Sequence, residues 1–230
     1  MNIIRDLYDA LFNCYGFQGW WPVSACSAAP DGYHPGDYGY PHDEKERFEI
    51  CVGAVLTQST AWRNVRSALS NLAVRGWLGP EKLVSVPAED VAGAIRPALY
   101  FNQKTKKLLG FARFFTALKG RTPEREELLN LWGIGPETAD SILLYAYGVP
   151  EFVVDAYTVR ILNALGLTGE KAGYDDIRAL FTGSLDREVP LYQEYHALLV
   201  AHGKEHYSRK PYGSADEIVS RLRTEQSHTV

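Results

Sequence analysis

Hydrophobic residues recur along this chain with the spacing of an α-helix. In residues 2–15 they form one apolar stripe, and Gly16 can end that helix. The same spacing returns over 48–56 and continues over 65–72. Further helices are predicted near residues 80–85, 88–95, 102–118, 123–131, 136–147, 156–165, 174–182, 190–207 and 214–223. No segment alternates for long with period two, so we predict an all-α fold.

The helical spacing stops between Gly16 and Pro41, where glycine, proline and aromatic residues dominate. Adjacent tryptophans, Trp20 and Trp21, lie in this segment. A stretch this long without regular structure is usually functional or disordered, and its aromatic content argues against disorder. We therefore predict an ordered loop with a functional role.

Composition and charge narrow the class of protein. Of the 230 residues, 46% are hydrophobic, which can supply real cores and excludes a disordered or fibrous chain. The longest apolar runs fall far short of the roughly 20 residues of a membrane-spanning helix, so we expect a cytoplasmic protein with no membrane partner. The net charge of -4 gives no sign of nucleic acid. DNA binding would therefore depend on a local basic face and on backbone amides.

The cysteines and histidines form no metal-binding pattern. Cys14, Cys26 and Cys51 contain no C-x-x-C pair and are odd in number, so we expect free, partly buried thiols. His202 and His206 have a spacing compatible with metal ligation, but no further ligands cluster nearby in the sequence. We therefore predict no metal site.

Two predicted helices flank a glycine turn within residues 123–147. Thr122 suits an N-cap ahead of Pro123 and an acidic first turn, and this helix should end at Gly133. Pro136 then suits the first turn of the second helix. The sequence therefore predicts a helix, a tight glycine turn and a second helix.

This glycine turn could bind an anion. Glycine lets the backbone approach another molecule closely, and the free amides of Gly135, Glu137 and Thr138 lie at a predicted helix N-terminus. A DNA phosphate would fit there without a cationic side chain. Taken alone, a G-x-G turn is equally consistent with a simple connection between two helices.

An aspartate follows the hairpin at the start of another predicted helix. Taken alone, Asp155 is best explained as a helix cap. The longer sequence LLNLWGIGPETADSILLYA, followed by VVDAYTVRIL, resembles the helix-hairpin-helix and catalytic aspartate of the endonuclease III superfamily of base-excision DNA glycosylases. The resemblance covers nearly the whole chain, and the segments FEICVGAVLTQSTAWRNV and RPALYFNQKTKKL are most similar to the 3-methyladenine DNA glycosylase III branch.

The resemblance implies two helical lobes with DNA bound in the cleft between them. The central lobe would span 42–154, with the hairpin at 123–147, and the second lobe would combine 1–41 with 155–230. The partner would be double-stranded DNA containing a damaged base, which a monomer flips out and releases by hydrolysis. Alkylated purines such as 3-methyladenine are the expected lesion. A mismatched or deaminated base, or a non-catalytic DNA-binding role, remains open.

The resemblance also implies roles for individual residues. Asp155 would stabilise positive charge on the sugar and orient water. Trp20, Trp21 and Phe48 match aromatic residues of the base pocket, where indole faces prefer a cationic alkylated base. Lys204 matches a lysine near that pocket. From the residues alone, Phe48 is equally consistent with a core position, and the tryptophans with packing of the loop.

Further residues are expected to contact DNA. Gln58 matches the residue that fills the gap left in the duplex by the flipped base. Lys104, together with Lys106, Lys107 and Arg113, could contact phosphates. A run of lysines is, however, usually the solvated face of a helix.

Two departures from the superfamily refine the expected chemistry. Bifunctional members carry a lysine at the position of Glu137, and a carboxylate cannot form the Schiff base that leads to strand cleavage. We therefore expect no AP lyase activity.

Many relatives hold an iron-sulfur cluster on C-terminal cysteines, but residues 202–213 contain no cysteine. No cofactor is expected, apart from a monovalent cation that the hairpin could hold.

Overall fold

The computed structural model describes residues 2–24, 31–169 and 172–227. Within those ranges the regular structure is entirely helical, which confirms the predicted all-α class. Cys14 is exposed and Cys51 is buried, both as free thiols, and Cys26 lies outside the described residues. The α-helices are, in chain order, α1 (Ile3–Tyr15), α2 (Glu44–Leu56), α3 (Trp62–Val74), α4 (Pro80–Ser85), α5 (Ala88–Ala94), α6 (Phe101–Leu118), α7 (Arg125–Leu129), α8 (Pro136–Ser141), α9 (Ala156–Leu165), α10 (Tyr174–Ser184), α11 (Val189–His206) and α12 (Glu217–Ser227).

Local capping explains where the helix boundaries differ from the predicted ones. The first hairpin helix, α7, is capped by Glu124 rather than by Thr122, because the Glu124 amide donates to the Glu127 carboxylate at 2.9 Å in a capping box. That helix ends at Leu129, short of the predicted stop. The second hairpin helix, α8, continues as a π-helical turn over Ile142–Ala146.

The described chain divides into two compact units. Unit 1 contains the described residues of Met1–Trp20, His34–Tyr38 and Pro150–Val230. In it, α11 packs against α1 and α9, and α12 packs against the same two helices. Phe152 stacks on Phe181 with ring centroids 3.8 Å apart, and both side chains are buried. This aromatic pair holds the residues that precede α9 in the core of unit 1.

A buried hydrogen-bond network joins α11 to α12 within unit 1. His202 Nε2 lies 2.8 Å from Asp216 Oδ2, which also accepts from the Tyr207 hydroxyl at 2.7 Å. Burial opposes ionisation of Asp216, but hydrogen bonds from His202, Val219 and Tyr207 keep its pKa below the usual value. His202 is therefore a paired core histidine. In the part of the chain that the structure describes, no cluster of three or more potential ligands is suited to a metal ion.

Unit 2 contains the described residues of Trp21–Tyr33 together with Gly39–Val149. Its central helix is α2, whose residues from Phe48 to Leu56 are all buried because α3, α6 and α8 pack around it. Trp21 packs closely on this helix, since a Cβ at Gly53 would lie only 2.9 Å from the indole Nε1. Gly53 is therefore required for the close approach of the ring to the helix.

The observed units correct the expected lobe boundaries in two places. Residues before 42 were expected to belong together, but Trp20 lies in unit 1 and Trp21 in unit 2. The segment from Pro150 to Val154 belongs to unit 1 and not to the central lobe, because Phe152 is anchored on Phe181. Among the described helices, none has the length and apolar character needed to cross a membrane.

Candidate functional site

Asp155 is the N-cap of α9, and the buried residues Val153 and Val154 lead the chain to it. Its Oδ1 accepts hydrogen bonds from the Thr158 amide and the Thr158 hydroxyl, both at 2.8 Å. The carboxylate is half-buried, and within the described ranges its Oδ2 accepts no hydrogen bond. Asp155 therefore caps the helix with one oxygen and leaves the other available to a reactant.

Two ionisable side chains of α11 lie in the electrostatic field of Asp155. His196 is buried, and that burial lowers its pKa; the Asp155 charge opposes the shift and Lys204 adds to it. The surrounding protein likewise lowers the pKa of Lys204, against the opposing effect of Asp155. An ordinary histidine titrates near pH 6.5, so a lowered value keeps the His196 ring neutral at pH 7.

Trp20 completes this cluster in unit 1. Its ring meets the His196 ring edge-on, with centroids 5.6 Å apart and planes at 89°. Lys204 Nζ lies 5.7 Å from the Trp20 centroid, within range of a cation–π attraction. The structure thus brings together three residues predicted from the sequence, namely Asp155, Trp20 and Lys204. It adds His196, which the sequence did not reveal.

Glu194 fixes the loop that carries Trp20. Its side chain is buried; Oε1 accepts from the Gln18 amide at 2.6 Å, and Oε2 accepts from the Tyr38 hydroxyl at 2.8 Å. Burial raises the pKa of Glu194, although both hydrogen bonds oppose that shift. One carboxylate of α11 therefore holds two separate pieces of the aromatic loop, one of which leads directly to Trp20.

Trp21 and Phe48, the other two predicted pocket residues, lie inside unit 2. Trp21 is 4% exposed and packs edge-on against Trp62 and Tyr145, with centroids 5.5 and 5.2 Å away. Phe48 is fully buried against Phe115 at 5.1 Å. Neither the Trp21 ring nor the Phe48 ring has an exposed face in this structure. Both residues therefore match the alternative that the sequence left open, in which they pack the interior of the protein.

The hairpin lies in unit 2 and is held by a buried ion pair. Arg125 of α7 donates to both carboxylate oxygens of Asp140 on α8, at 2.7 and 3.1 Å, and the Asp140 side chain is fully buried. In the turn, Gly133 has a φ of 80°, which favours glycine. Gly135 lies next to open space, because nothing approaches within 4 Å of its Cβ position. Gly133 is therefore needed for the backbone conformation of the turn, and Gly135 leaves the backbone accessible to another molecule.

The side chains around the turn come from α6 and from the residues after α2. Gln58 Nε2 donates to the Gly133 carbonyl at 3.2 Å and to the Thr138 hydroxyl at 2.9 Å. Lys107 donates to the Gln58 amide oxygen. Lys106 lies over the exposed Trp132 ring, 4.0 Å from its centroid. Two consecutive lysines of α6 thus reach the hairpin.

Lys104 is not a DNA contact, contrary to the expectation. Its side chain is buried, and Nζ donates to the carbonyls of Leu56 at 2.8 Å and Ala98 at 2.7 Å. Those carbonyls end α2 and a short 3-10 turn, where the helix itself leaves acceptors unpaired. Burial, with a further effect of Lys107, lowers the pKa of Lys104 to about 8. The ammonium therefore joins two ends of the backbone inside unit 2.

Two exposed apolar residues before α6 were missed by the sequence analysis. Leu99 and Tyr100 have φ values of 60° and 45°, and their exposed fractions are 50% and 65%. Such backbone conformations are unfavourable for bulky residues and persist mainly at functional positions. No sequence signal marks them, because leucine and tyrosine rarely adopt this conformation.

Comparisons with known proteins agree with this geometry. Residues 52–186 match the family described as HhH-GPD superfamily base excision DNA repair protein. A protein of Methanocaldococcus jannaschii that is named, provisionally, a DNA repair glycosylase is 38% identical over 220 residues, covering 91% of this chain and 90% of its own. A thymine-DNA glycosylase of Aeropyrum pernix is 32% identical over 140 residues, covering 59% of this chain and 62% of its own.

Solved structures share the fold. The 3-methyladenine DNA glycosylase of H. pylori, bound to 1,N6-ethenoadenine, has a TM-score of 0.70 and 25% identity over 89% of this chain and 98% of its own. A trapped endonuclease III–DNA covalent intermediate has a TM-score of 0.75 and 18% identity over 97% of both chains. The structural neighbours thus include complexes with DNA. This chain belongs to the HhH-GPD superfamily of base excision DNA repair proteins.

Proposed function

We propose that this protein is a monofunctional DNA glycosylase that releases alkylated purines, 3-methyladenine above all, from duplex DNA. The observation that carries the proposal is the Asp155 carboxylate, which has one oxygen fixed by Thr158 and one open, in a cluster with Lys204. The similarity to the H. pylori enzyme supports the choice of lesion.

Recognition of the flipped base is assigned to Trp20. Alkylation of a ring nitrogen makes the base cationic, and an indole ring attracts a cation held over its face. Lys204 Nζ already lies 5.7 Å from the Trp20 centroid, which shows that a cation can approach this ring. A neutral purine lacks the attraction, so Trp20 favours the alkylated base over the normal one.

Asp155 acts on the sugar. As the bond between C1′ and the base nitrogen breaks, the base leaves with the bonding electrons and positive charge develops on the sugar. The open Oδ2 stabilises that charge and orients a water molecule, whose oxygen bonds to C1′ while Asp155 accepts its proton. The neutral His196 adds no positive charge that would oppose this step.

The product is an intact strand with an abasic site. Glu137 occupies the position of the lysine in bifunctional relatives, and it is exposed. A carboxylate forms no imine with the sugar aldehyde, so the protein itself cuts no strand. The chemistry needs no cofactor.

The experiment is product analysis on duplex DNA that has been treated with a methylating agent. The wild type is expected to release free 3-methyladenine and to leave strand breaks that form only after alkali. Breaks without alkali, or a protein–DNA adduct trapped by borohydride, would contradict the monofunctional assignment.

A second candidate substrate is a mismatched base. It is favoured by the likeness to the thymine-DNA glycosylase of Aeropyrum pernix. A duplex with one G·T pair distinguishes the two, because a thymine is neutral and gains nothing from a cation–π site. Release of thymine without release of 3-methyladenine would replace the proposed substrate. Binding of both duplexes with release from neither would move the search to other lesions, and then to a non-catalytic DNA-binding role.

A further inference from the structure

Trp132 is a tryptophan that the fold leaves in solvent. All five tryptophans of the chain lie within the described ranges, and among them only Trp132 is exposed, with an exposed fraction of 54%. It directly precedes Gly133 in the hairpin turn. A large apolar side chain that remains in solvent gives up the stabilisation that burial would provide. The Trp132 ring is therefore available to a partner of the hairpin.

Lys106 of α6 lies over this ring. Its Nζ is 4.0 Å from the ring centroid, well inside the roughly 6 Å range of a cation–π attraction. The Lys106 side chain is exposed, so this contact forms at the surface and not in the core of unit 2. The attraction holds a flexible lysine and an exposed ring together, and we call them the Trp132–Lys106 pair.

The Trp132–Lys106 pair has hydrogen-bond donors that no protein group uses. In the part of the chain that the structure describes, neither the indole Nε1 proton nor the Lys106 ammonium is donated to an acceptor. Both groups are donors only, so neither can attract a donor from a partner. The neighbouring Lys107 differs, because its ammonium donates to the Gln58 amide oxygen. The pair therefore offers an N–H group and a positive charge to an anion.

A phosphodiester group of DNA has the matching chemistry. Its oxygens are anionic acceptors, and most hydrogen bonds between proteins and DNA go to phosphate or sugar. The apolar part of the indole suits the deoxyribose next to such a phosphate. The chain as a whole carries a net charge of -4, so its affinity for DNA must depend on local cations. Lys106 places one of them beside the hairpin turn.

We propose that the Trp132–Lys106 pair is a phosphate-binding site, in which the indole N–H and the ammonium donate to one phosphodiester group of the DNA backbone. This site is separate from the backbone that Gly135 exposes. It adds a positive charge to a turn that otherwise offers only amides. The inference rests on the proposed use of the hairpin in binding DNA.

Neutral phosphate analogues test the lysine of the pair. The probe is a duplex with a tetrahydrofuran abasic analogue, which resembles the proposed product and fixes the register of the protein on the DNA. Methylphosphonate then replaces one phosphate at a time. At each phosphate that the wild type contacts through a cation, the substitution should weaken binding about tenfold and lower the slope of log affinity against log salt by about 0.9.

Lys106→Met identifies the phosphate that the pair holds. On the duplex with all its phosphates, this variant should bind about tenfold more weakly than the wild type, with a slope lower by about 0.9. At one position methylphosphonate should then cost it almost nothing more, because the lysine and the phosphate charge act on each other. The control is Lys82→Met, which removes an exposed lysine from α4 and should keep the wild-type loss at every position.

Two substitutions test the tryptophan of the pair. Trp132→Phe keeps a ring for Lys106 but lacks the N–H group, so it should weaken binding about threefold and leave the salt slope unchanged. Trp132→Leu also removes the ring that holds Lys106. It should weaken binding further and reduce the methylphosphonate loss at the same position as Lys106→Met does.

Either of two results would overturn the proposal. The first is a Lys106→Met variant that retains the wild-type methylphosphonate loss at every position, and the second is a Trp132→Phe variant that binds as tightly as the wild type. Both residues are exposed, so each variant should keep the wild-type circular dichroism spectrum and melting temperature. A wild type that binds none of these duplexes would refute the proposed function itself, and that result appears before any variant is made.

Discussion

Asp155 in unit 1 and Asp140 in unit 2 are both aspartates at helices, but their hydrogen bonds differ. Asp140 is fully buried, and each of its oxygens is bound by Arg125. Asp155 is half-buried, with Oδ1 bound to Thr158 and with no hydrogen bond to Oδ2 from the described residues. A carboxylate that fixes a hairpin benefits from complete pairing. One that must meet a reactant needs an oxygen without a partner.

The same contrast extends to the surrounding residues. Around the hairpin, Gln58 and Lys107 are hydrogen-bonded to each other or to the turn, which favours a rigid surface. Around Asp155, the pKa values of His196 and Lys204 are lowered: His196 is buried, and the protein around the exposed Lys204 disfavours its charged form. The open Oδ2 of Asp155 supports our proposal that the cluster of unit 1 carries out the reaction, and the exposed turn of the hairpin supports our proposal that unit 2 binds the DNA backbone.

The largest effect on stability is expected from breaking the Asp140 pair. Arg125→Met would leave a buried carboxylate without its main cation and should lower the free energy of unfolding by about 3 kcal/mol. Urea denaturation provides the measurement. Arg121→Met is the control, since its partner Glu127 is on the surface and its loss should change little. Equal free energies of unfolding for the two variants would show that the Arg125–Asp140 pair does not stabilise the fold.

A smaller, selective effect is expected at Trp20. Trp20→Leu removes the indole face, so the ratio of release of cationic 3-methyladenine to release of a neutral purine lesion should fall about fivefold. Single-turnover rates on the two duplexes give this ratio. Trp132→Leu, which changes the exposed hairpin tryptophan, should weaken DNA binding without altering the ratio. A ratio that Trp20→Leu leaves unchanged would exclude the proposed cation–π selection.

The smallest effect concerns the pH dependence of stability. Burial lowers the pKa of His196, so below pH 6.5 the unfolded chain binds a proton that the folded protein does not. The free energy of unfolding should therefore fall as the pH drops from 7 to 5. His196→Phe keeps an aromatic edge against Trp20 and should show a shallower fall, measured by urea denaturation at both pH values. An identical slope in both proteins would show that the fold does not lower the pKa of His196.

Local signals in the sequence account for what could be predicted. Apolar spacing and helix caps depend on near neighbours, so the helices, the glycine turn and the helix cap at Asp155 were predicted from them. The catalytic role of Asp155 was predicted only from the family resemblance. Lys104 shows the limit of this approach. Its lysine-rich surroundings predict a solvated face, but its ammonium bonds to the Leu56 carbonyl, far away in sequence. Such a contact depends on how α2 and α6 pack, which no local pattern specifies.

Glu194 and His196 were not predicted for the same reason: their burial depends on contacts between segments that are far apart in sequence. Glu194 and His196 are polar residue types that usually lie on the surface, but both are buried, where Glu194 accepts from Gln18 and His196 meets Trp20 of the aromatic loop. Trp20 and Trp21 are adjacent in sequence but belong to different units. Trp20 packs against His196 in unit 1, and Trp21 packs against Trp62 in unit 2. The family resemblance assigned both tryptophans to the base pocket, because it does not show which residues each one contacts.

The most direct test of the central claim is Asp155→Asn. Asparagine is an equally good helix cap, so the fold and the DNA affinity should be preserved while the carboxylate charge is lost. Single-turnover release of 3-methyladenine should fall by at least about a hundredfold, with the Kd for the same duplex nearly unchanged. Release at close to the wild-type rate would contradict the assignment of Asp155 as the catalytic residue.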